Sequence, residues 1–169
     1  MVGMSVKQDH PTAPIAHYWI CVNMKRKISK EHSVFTSDRS KQRQYLNQSW
    51  EKYTRQEELE PLELQLVKII ERHPEYINLI GNLNSEYFPE QGTVNPFLHL
   101  NLHLTLQDQL AMDQPRGIRG IHNTLLEKIK DAHEVEHMMM EHIAEMIFNA
   151  QKNNTAFDLN GYIIALKKL

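Results

Sequence analysis

Apolar residues recur at helical spacing along most of the chain, and this periodicity constrains the fold more than any other feature. Leu46, Trp50 and Tyr53 stand at positions i, i+4 and i+7, which places them on one face of an α-helix. The longest stripe follows Asp131, a residue suited to cap a helix. Its members are Val135, Met138, Met139, His142, Met146, Ile147 and Ala150. The chain has no internal repeat and no alternation of strands with helices, so we predict an all-α fold, a small helical bundle.

Prolines and turn-forming residues divide this pattern into separate helices. Pro61 begins a second helix, because proline is favoured in a first helical turn, and Pro74 ends that helix or begins a short third one. Asparagine, glycine, proline and serine are frequent in residues 82–96, which predicts a long loop there. Another helix is expected after a turn at 113–117, and a short final helix at about 159–168.

Residues 97–112 fit two different patterns. Five leucines alternate with polar residues from 98 to 107, which on its own is typical of a strand with one leucine face. The alternative is a helix, with Asn95 as its N-cap and Pro96 at its first position. We favour the helix because a strand of about ten residues is long and because both capping residues fit. Leucines on all sides would make this helix central and buried.

Length and composition indicate one globular domain preceded by an extension. The chain has 169 residues, of which 41% are hydrophobic and 24% charged, values that are ordinary for a globular protein with a real core. Residues 1–36 lack a clear periodicity, and we expect a poorly ordered extension there. Ser37 and Asp38 are plausible N-caps, so a single helical domain is expected over 37–169.

Charge, hydropathy and cysteine usage bear on partners and location. The formal net charge is -2, so we expect no broad cationic surface for nucleic acid. No apolar run approaches the roughly 20 residues that span a bilayer, so a membrane partner is not expected. Cys21 is the single cysteine and cannot form an internal disulfide, which favours a reducing, cytoplasmic location.

The segment 133–137, His-Glu-Val-Glu-His, carries the clearest candidate chemistry. His133 and His137 are four residues apart and lie on one helical face, the spacing by which a helix offers two nitrogens to one zinc ion. Metallopeptidase patterns would make Glu134 or, in the inverted motif, Glu136 the catalytic base. However, Glu136 is a charged residue at an inner motif position, and the downstream glycine and histidine of the extended motif are missing. We therefore predict a metal site and leave enzymatic activity open.

A second histidine pair has the same spacing. His99 and His103 lie on the predicted buried helix, where polar groups need partners. If the helix after Asp131 packs its second face on residues 97–112, four histidines meet, as in metal sites of helical bundles. The predicted metal ligands are His99, His103, His133 and His137, with Glu136 or Glu141 as an orienting group or extra ligand. Zinc is the expected ion, with iron and nickel left open.

The other histidines have simpler interpretations, and the protein as a whole has an alternative one. His73 ends a helix, where an imidazole can interact with the last carbonyls, and His122 and His142 are expected to be hydrogen-bonded core residues. A di-iron carboxylate site would need a Glu-x-x-His motif on each of two helices, and Glu134 with His137 supplies one copy. The alternative to a metal-binding protein is a non-enzymatic helical protein that binds an unidentified protein partner and holds no metal.

Several short segments carry a resemblance to a known family. They are Trp50-Glu51-Lys52-Tyr53, His73-Pro74-Glu75-Tyr76, Asn95-Pro96-Phe97-Leu98-His99 and the stretch from Asp131 to Met139. From Phe35 onward the chain resembles a proteobacterial family known as domain of unknown function 1841. The resemblance implies a small, mostly helical, cytoplasmic bacterial protein, and it implies no activity. The family pattern corresponds to His133-x-x-Glu136-His137, which favours Glu136 over Glu134 as the functional carboxylate, while residues 1–33 depart from it.

Overall fold

The structure is a computed structural model that describes residues 39–87 and 94–169. Over these residues it contains seven α-helices and no strand. They are α1 Arg39–Thr54, α2 Pro61–Glu71, α3 Ile77–Ile80, α4 Pro96–Met112, α5 Ile118–Ile129, α6 Ala132–Asn153 and α7 Leu159–Leu166. A 3-10 turn, Pro74–Tyr76, connects α2 to α3. The predicted all-α fold is confirmed, whereas the expected extension at 1–36 and the caps at Ser37 and Asp38 lie outside the described residues.

The leucine-rich segment forms the central helix α4. The Asn95 side chain accepts a hydrogen bond from the backbone N–H of Leu98 at 3.1 Å, and Pro96 occupies the first turn. Helix α4 packs against α2, α3, α5 and α6, so its side chains are buried in more than one direction. The period-two pattern therefore reflects a helix surrounded by neighbours, and the prediction of a helix at 97–112 is confirmed.

Helix α6 begins at the predicted cap but turns a different face to the core. The Asp131 carboxylate accepts hydrogen bonds from the backbone N–H groups of His133 and Glu134, at 2.8 and 3.1 Å. The buried positions are Val135, Glu136, Met139, Met140, Ile143, Met146 and Ala150. Met138, His142 and Ile147, which the apolar stripe placed in the core, are only half-buried. The reason is that α6 packs against α4, α5 and α7 together, so its buried face is set by three neighbours.

Two hydrophobic clusters meet along α4. Phe97, Leu100 and Leu104 pack with buried residues of α1, α2 and α3, while Leu102 and Leu106 pack with α5, α6 and α7. Helix α4 therefore ties both halves of the bundle together, and the polar residues on it are enclosed by both. In the segments 39–87 and 94–169, no helix combines the length and hydropathy that a membrane crossing requires.

Candidate metal centre

His73 lies at the centre of a histidine cluster. The α2 helix ends just before it, and the Pro74–Tyr76 turn redirects the chain so that the imidazole points inward. The side chain is only 2% exposed. Its Nδ1 atom lies 3.0 Å from the Glu75 carboxylate. The prediction that His73 contacts the last carbonyls of its helix is wrong, because its two ring nitrogens face a carboxylate and another imidazole.

His103 approaches His73 from α4. Its side chain is fully buried, and its Nδ1 atom lies 2.7 Å from Oε2 of Glu136 on α6. Its Nε2 atom lies 2.8 Å from Nε2 of His73. Because α4 and α6 pack side by side, the buried His103 and Glu136 face each other across that contact.

His133 and His137 complete the cluster from one face of α6. The Nε2 atom of His133 lies 3.1 Å from Nε2 of His73, and Nε2 of His137 lies 3.0 Å from Nε2 of His103. Each of the four imidazoles offers one nitrogen, and these four nitrogens lie within 4.8 Å of one another. We call His73, His103, His133 and His137 the four-histidine cluster. It is the one group of this kind in the described part of the chain.

The hydrogen bonds at Nδ1 decide which nitrogen of each imidazole is free. An ionised carboxylate can only accept, so Nδ1 of His73 and Nδ1 of His103 carry the protons donated to Glu75 and Glu136. In a neutral imidazole the other nitrogen then bears a lone pair. The two Nε2 lone pairs face each other at 2.8 Å, an arrangement that becomes favourable when a shared cation lies beside them.

Three of the spacings between the four nitrogens are close to those of a tetrahedral ligand set. A zinc–nitrogen distance of about 2.0–2.1 Å places tetrahedral ligands about 3.3 Å apart. Three Nε2–Nε2 distances in the cluster are 2.8, 3.0 and 3.1 Å, and all four ligand nitrogens lie within 4.8 Å of one another. An outward shift of about 0.3 Å would bring these three pairs to the zinc geometry.

Arg72 supports the carboxylate that orients His103. Its guanidinium donates to both oxygens of Glu136 at 3.0 Å. Burial alone would raise the pKa of Glu136, but the hydrogen bonds from His103 and Arg72 outweigh burial and hold this pKa below its usual value. The carboxylate thus stays ionised and fully engaged, which leaves it poorly placed to act as the free base of a peptidase.

Burial favours the neutral form of three imidazoles in the cluster. It lowers the pKa of His73, His133 and His137, and the Arg72 guanidinium lowers the pKa of His133 and His137 further, whereas the hydrogen bond to Glu75 opposes the shift at His73. A lowered pKa favours the neutral imidazole, and the neutral imidazole is the form that donates a lone pair to a metal ion. The nitrogens of this group could therefore hold a metal ion.

The remaining sequence-predicted ligands lie beside the cluster or away from it. His99 is not a member, and His73 supplies the fourth nitrogen instead. The His99 ring nevertheless stands 4.5 Å from the His73 ring. Glu136 orients His103 through its Nδ1 atom, whereas Glu141 is exposed on α6. Glu134 is also exposed, in the first turn of α6.

Sequence reasoning missed His73 and Arg72, although one signal pointed to the histidine. His73 follows Ile69 and Ile70 at i+4 and i+3, so it continues the buried stripe of α2. A polar residue on a buried stripe needs a partner. The partners come from α4 and α6, 30 and 60 residues away along the chain, and no local pattern indicates them.

Comparison with known protein families assigns the chain to one of them. A protein-family model described as "Domain of unknown function (DUF1841)" matches residues 38–168. The chain belongs to this family. The match spans every helix described above and includes all four histidines of the cluster. Neither a curated protein nor a solved structure matches the chain.

Proposed function

We propose that the protein binds one divalent first-row transition metal ion in the four-histidine cluster. The observation that carries the proposal is the convergence of four Nε2 atoms, with 2.8 Å between those of His73 and His103. Both of these imidazoles hold their Nδ1 atoms on carboxylates, the arrangement that fixes metal-binding histidines in other proteins. Zinc is the expected ion for four imidazoles, with iron and nickel as alternatives.

The proposed role of the ion is to connect three parts of the bundle. Its ligands would come from the junction after α2, from the central helix α4 and from α6. A set of four protein ligands is typical of structural zinc sites, because catalytic sites keep one position for water or substrate. Binding that is specific to the folded state stabilises that state. The cytoplasmic location and the bacterial source stay predictions from the sequence.

Thermal unfolding with and without a chelator tests the proposal. We expect the midpoint of the metal-loaded protein to fall when the chelator removes the ion, because a ligand of the folded state raises the midpoint. In the His137→Ala variant the chelator should have no effect. His122→Ala is the matched control, since His122 lies on α5 outside the cluster, and its chelator response should equal that of the unmodified protein.

The rival function makes the opposite prediction. A partner-binding helical protein without metal would show the same unfolding midpoint with and without the chelator. Its four-histidine cluster would then be a buried hydrogen-bonding network. An unchanged midpoint in protein first supplied with zinc, iron and nickel in turn would contradict the proposed function.

A further inference from the structure

A fifth imidazole borders the four-histidine cluster and has an unused nitrogen. The Nε2 atom of His99 is buried and has no hydrogen-bond partner among the described residues. Leaving a buried polar nitrogen without a partner costs free energy. His99 lies on α4 one turn before His103, so both side chains project from the same face of the helix.

The rings around His99 show where it lies relative to the cluster. The centres of the His73, His103 and His137 rings are 4.5, 5.1 and 4.9 Å from the centre of the His99 ring. These distances match those between the cluster rings themselves, such as 4.7 Å from His73 to His103. The His99 ring is thus as close to three cluster members as they are to one another.

His99 and His133 contact the same three rings from opposite sides. The centre of the His133 ring lies 4.7 Å from that of His73, 5.3 Å from that of His103 and 4.2 Å from that of His137. Within the segments that the structure describes, no ring contact joins His99 to His133. The His99 and His133 rings therefore lie at opposite ends of the group formed by the other three rings. The two axial ligands of a trigonal bipyramid are arranged in the same way around its three equatorial ligands.

We propose that His99 is a fifth ligand of the metal ion, opposite His133. This inference rests on the proposed function, because it needs an ion in the four-histidine cluster. His99 is outside the group whose nitrogens lie within 4.8 Å, so its side chain must move inward when the ion binds. The movement gives the buried Nε2 atom its missing partner.

A fifth imidazole changes which ions suit the site. Structural zinc is almost always four-coordinate, whereas divalent iron, cobalt and nickel accept five or six ligands, and all of them bind imidazole. The site would therefore also suit an ion of higher coordination number than tetrahedral zinc, such as the iron or nickel named above as alternatives.

Cobalt(II) absorption spectroscopy tests the position of His99. The full chain is stripped of metal, loaded with Co(II) alone and compared with His99→Leu. The visible bands of four-coordinate cobalt are several-fold more intense than those of five-coordinate cobalt. We expect weak bands in the unmodified protein, and stronger bands in His99→Leu with about one bound cobalt per chain retained. His99→Phe, which keeps a ring without a nitrogen, should behave like His99→Leu and serves if that variant fails to fold.

The outcomes separate this inference from the proposed function. His122→Leu is the matched control for the loss of one half-buried histidine, and its spectrum should equal that of the unmodified protein. Tetrahedral bands in the unmodified protein, or bands in both His99 variants that equal those of the unmodified protein, would overturn the role of His99 while leaving the four-histidine site intact. Failure of the unmodified protein to bind cobalt stoichiometrically would overturn the proposed function itself.

Discussion

At the level of single residues, Glu136 determines which ring nitrogen of His103 carries the proton. Its Oε2 atom accepts the Nδ1 proton of His103 at 2.7 Å, and Arg72 donates to both carboxylate oxygens. The proton of His103 is thus held at Nδ1, on the side of the ring that faces away from the four-histidine cluster. The Nε2 lone pair points into the cluster.

Replacing Glu136 with glutamine should weaken metal binding without removing a ligand. Glu136→Gln keeps an oxygen that accepts from His103 but loses the negative charge, and outer partners of this kind typically contribute about 10- to 100-fold in affinity. Competition with a chromophoric chelator measures the change. Glu141→Gln is the matched control, because Glu141 is exposed on the same helix. Equal affinities for the two variants would contradict the role given to Glu136.

Titration of the cluster should also affect the stability of the metal-free protein. Burial lowers the pKa of His73, His133 and His137 below the ordinary value of 6.5. Below pH 6.5 the unfolded chain therefore binds more protons than the folded chain, and stability falls as the pH falls. We expect the unfolding midpoint of metal-free protein, followed by circular dichroism, to decrease from about pH 7 to about pH 5. A constant midpoint over this interval would be inconsistent with buried neutral imidazoles.

At the level of helices, caps determine where α4 and α6 begin. The Asn95 side chain accepts from the N–H of Leu98, and the Asp131 side chain accepts from those of His133 and Glu134. Both caps were predictable, because a capping side chain acts on the backbone two or three residues later. The buried face of α6 was not fully predictable, because three neighbouring helices decide it. Local signals thus locate the start of a helix better than its orientation.

Removing the cap of α6 should destabilise the protein and the metal site together. Asp131→Ala loses both hydrogen bonds to the first turn, for which we expect a decrease in unfolding free energy of about 0.5–2 kcal/mol. Denaturant titration measures it. Asp131→Ser retains a capping oxygen and should recover most of the loss. Equal losses in the two variants would show that the side-chain hydrogen bonds contribute little.

At the level of the whole molecule, α4 connects two hydrophobic clusters, and the histidines lie where three elements meet. The sequence allowed the prediction of the helices, the central position of α4 and the meeting of His103 with His133 and His137. The entry of His73 into the cluster was not predictable, since it depends on how the turn at Pro74–Tyr76 packs on α4 and α6. A spacing of four residues identifies partners on one helix, whereas partners on different helices are set by packing.

Elemental analysis of the purified protein tests whether the four-histidine cluster holds a metal ion. Untagged protein, purified without added metal or chelator, is assayed by elemental mass spectrometry beside the His137→Ala variant. The four-histidine cluster predicts about one equivalent of a single first-row transition metal per chain, and loss of that metal in His137→Ala with the helical fold retained. A metal content far below one equivalent in the unmodified protein would contradict metal binding by the four-histidine cluster. So would an equal metal content in the folded His137→Ala variant.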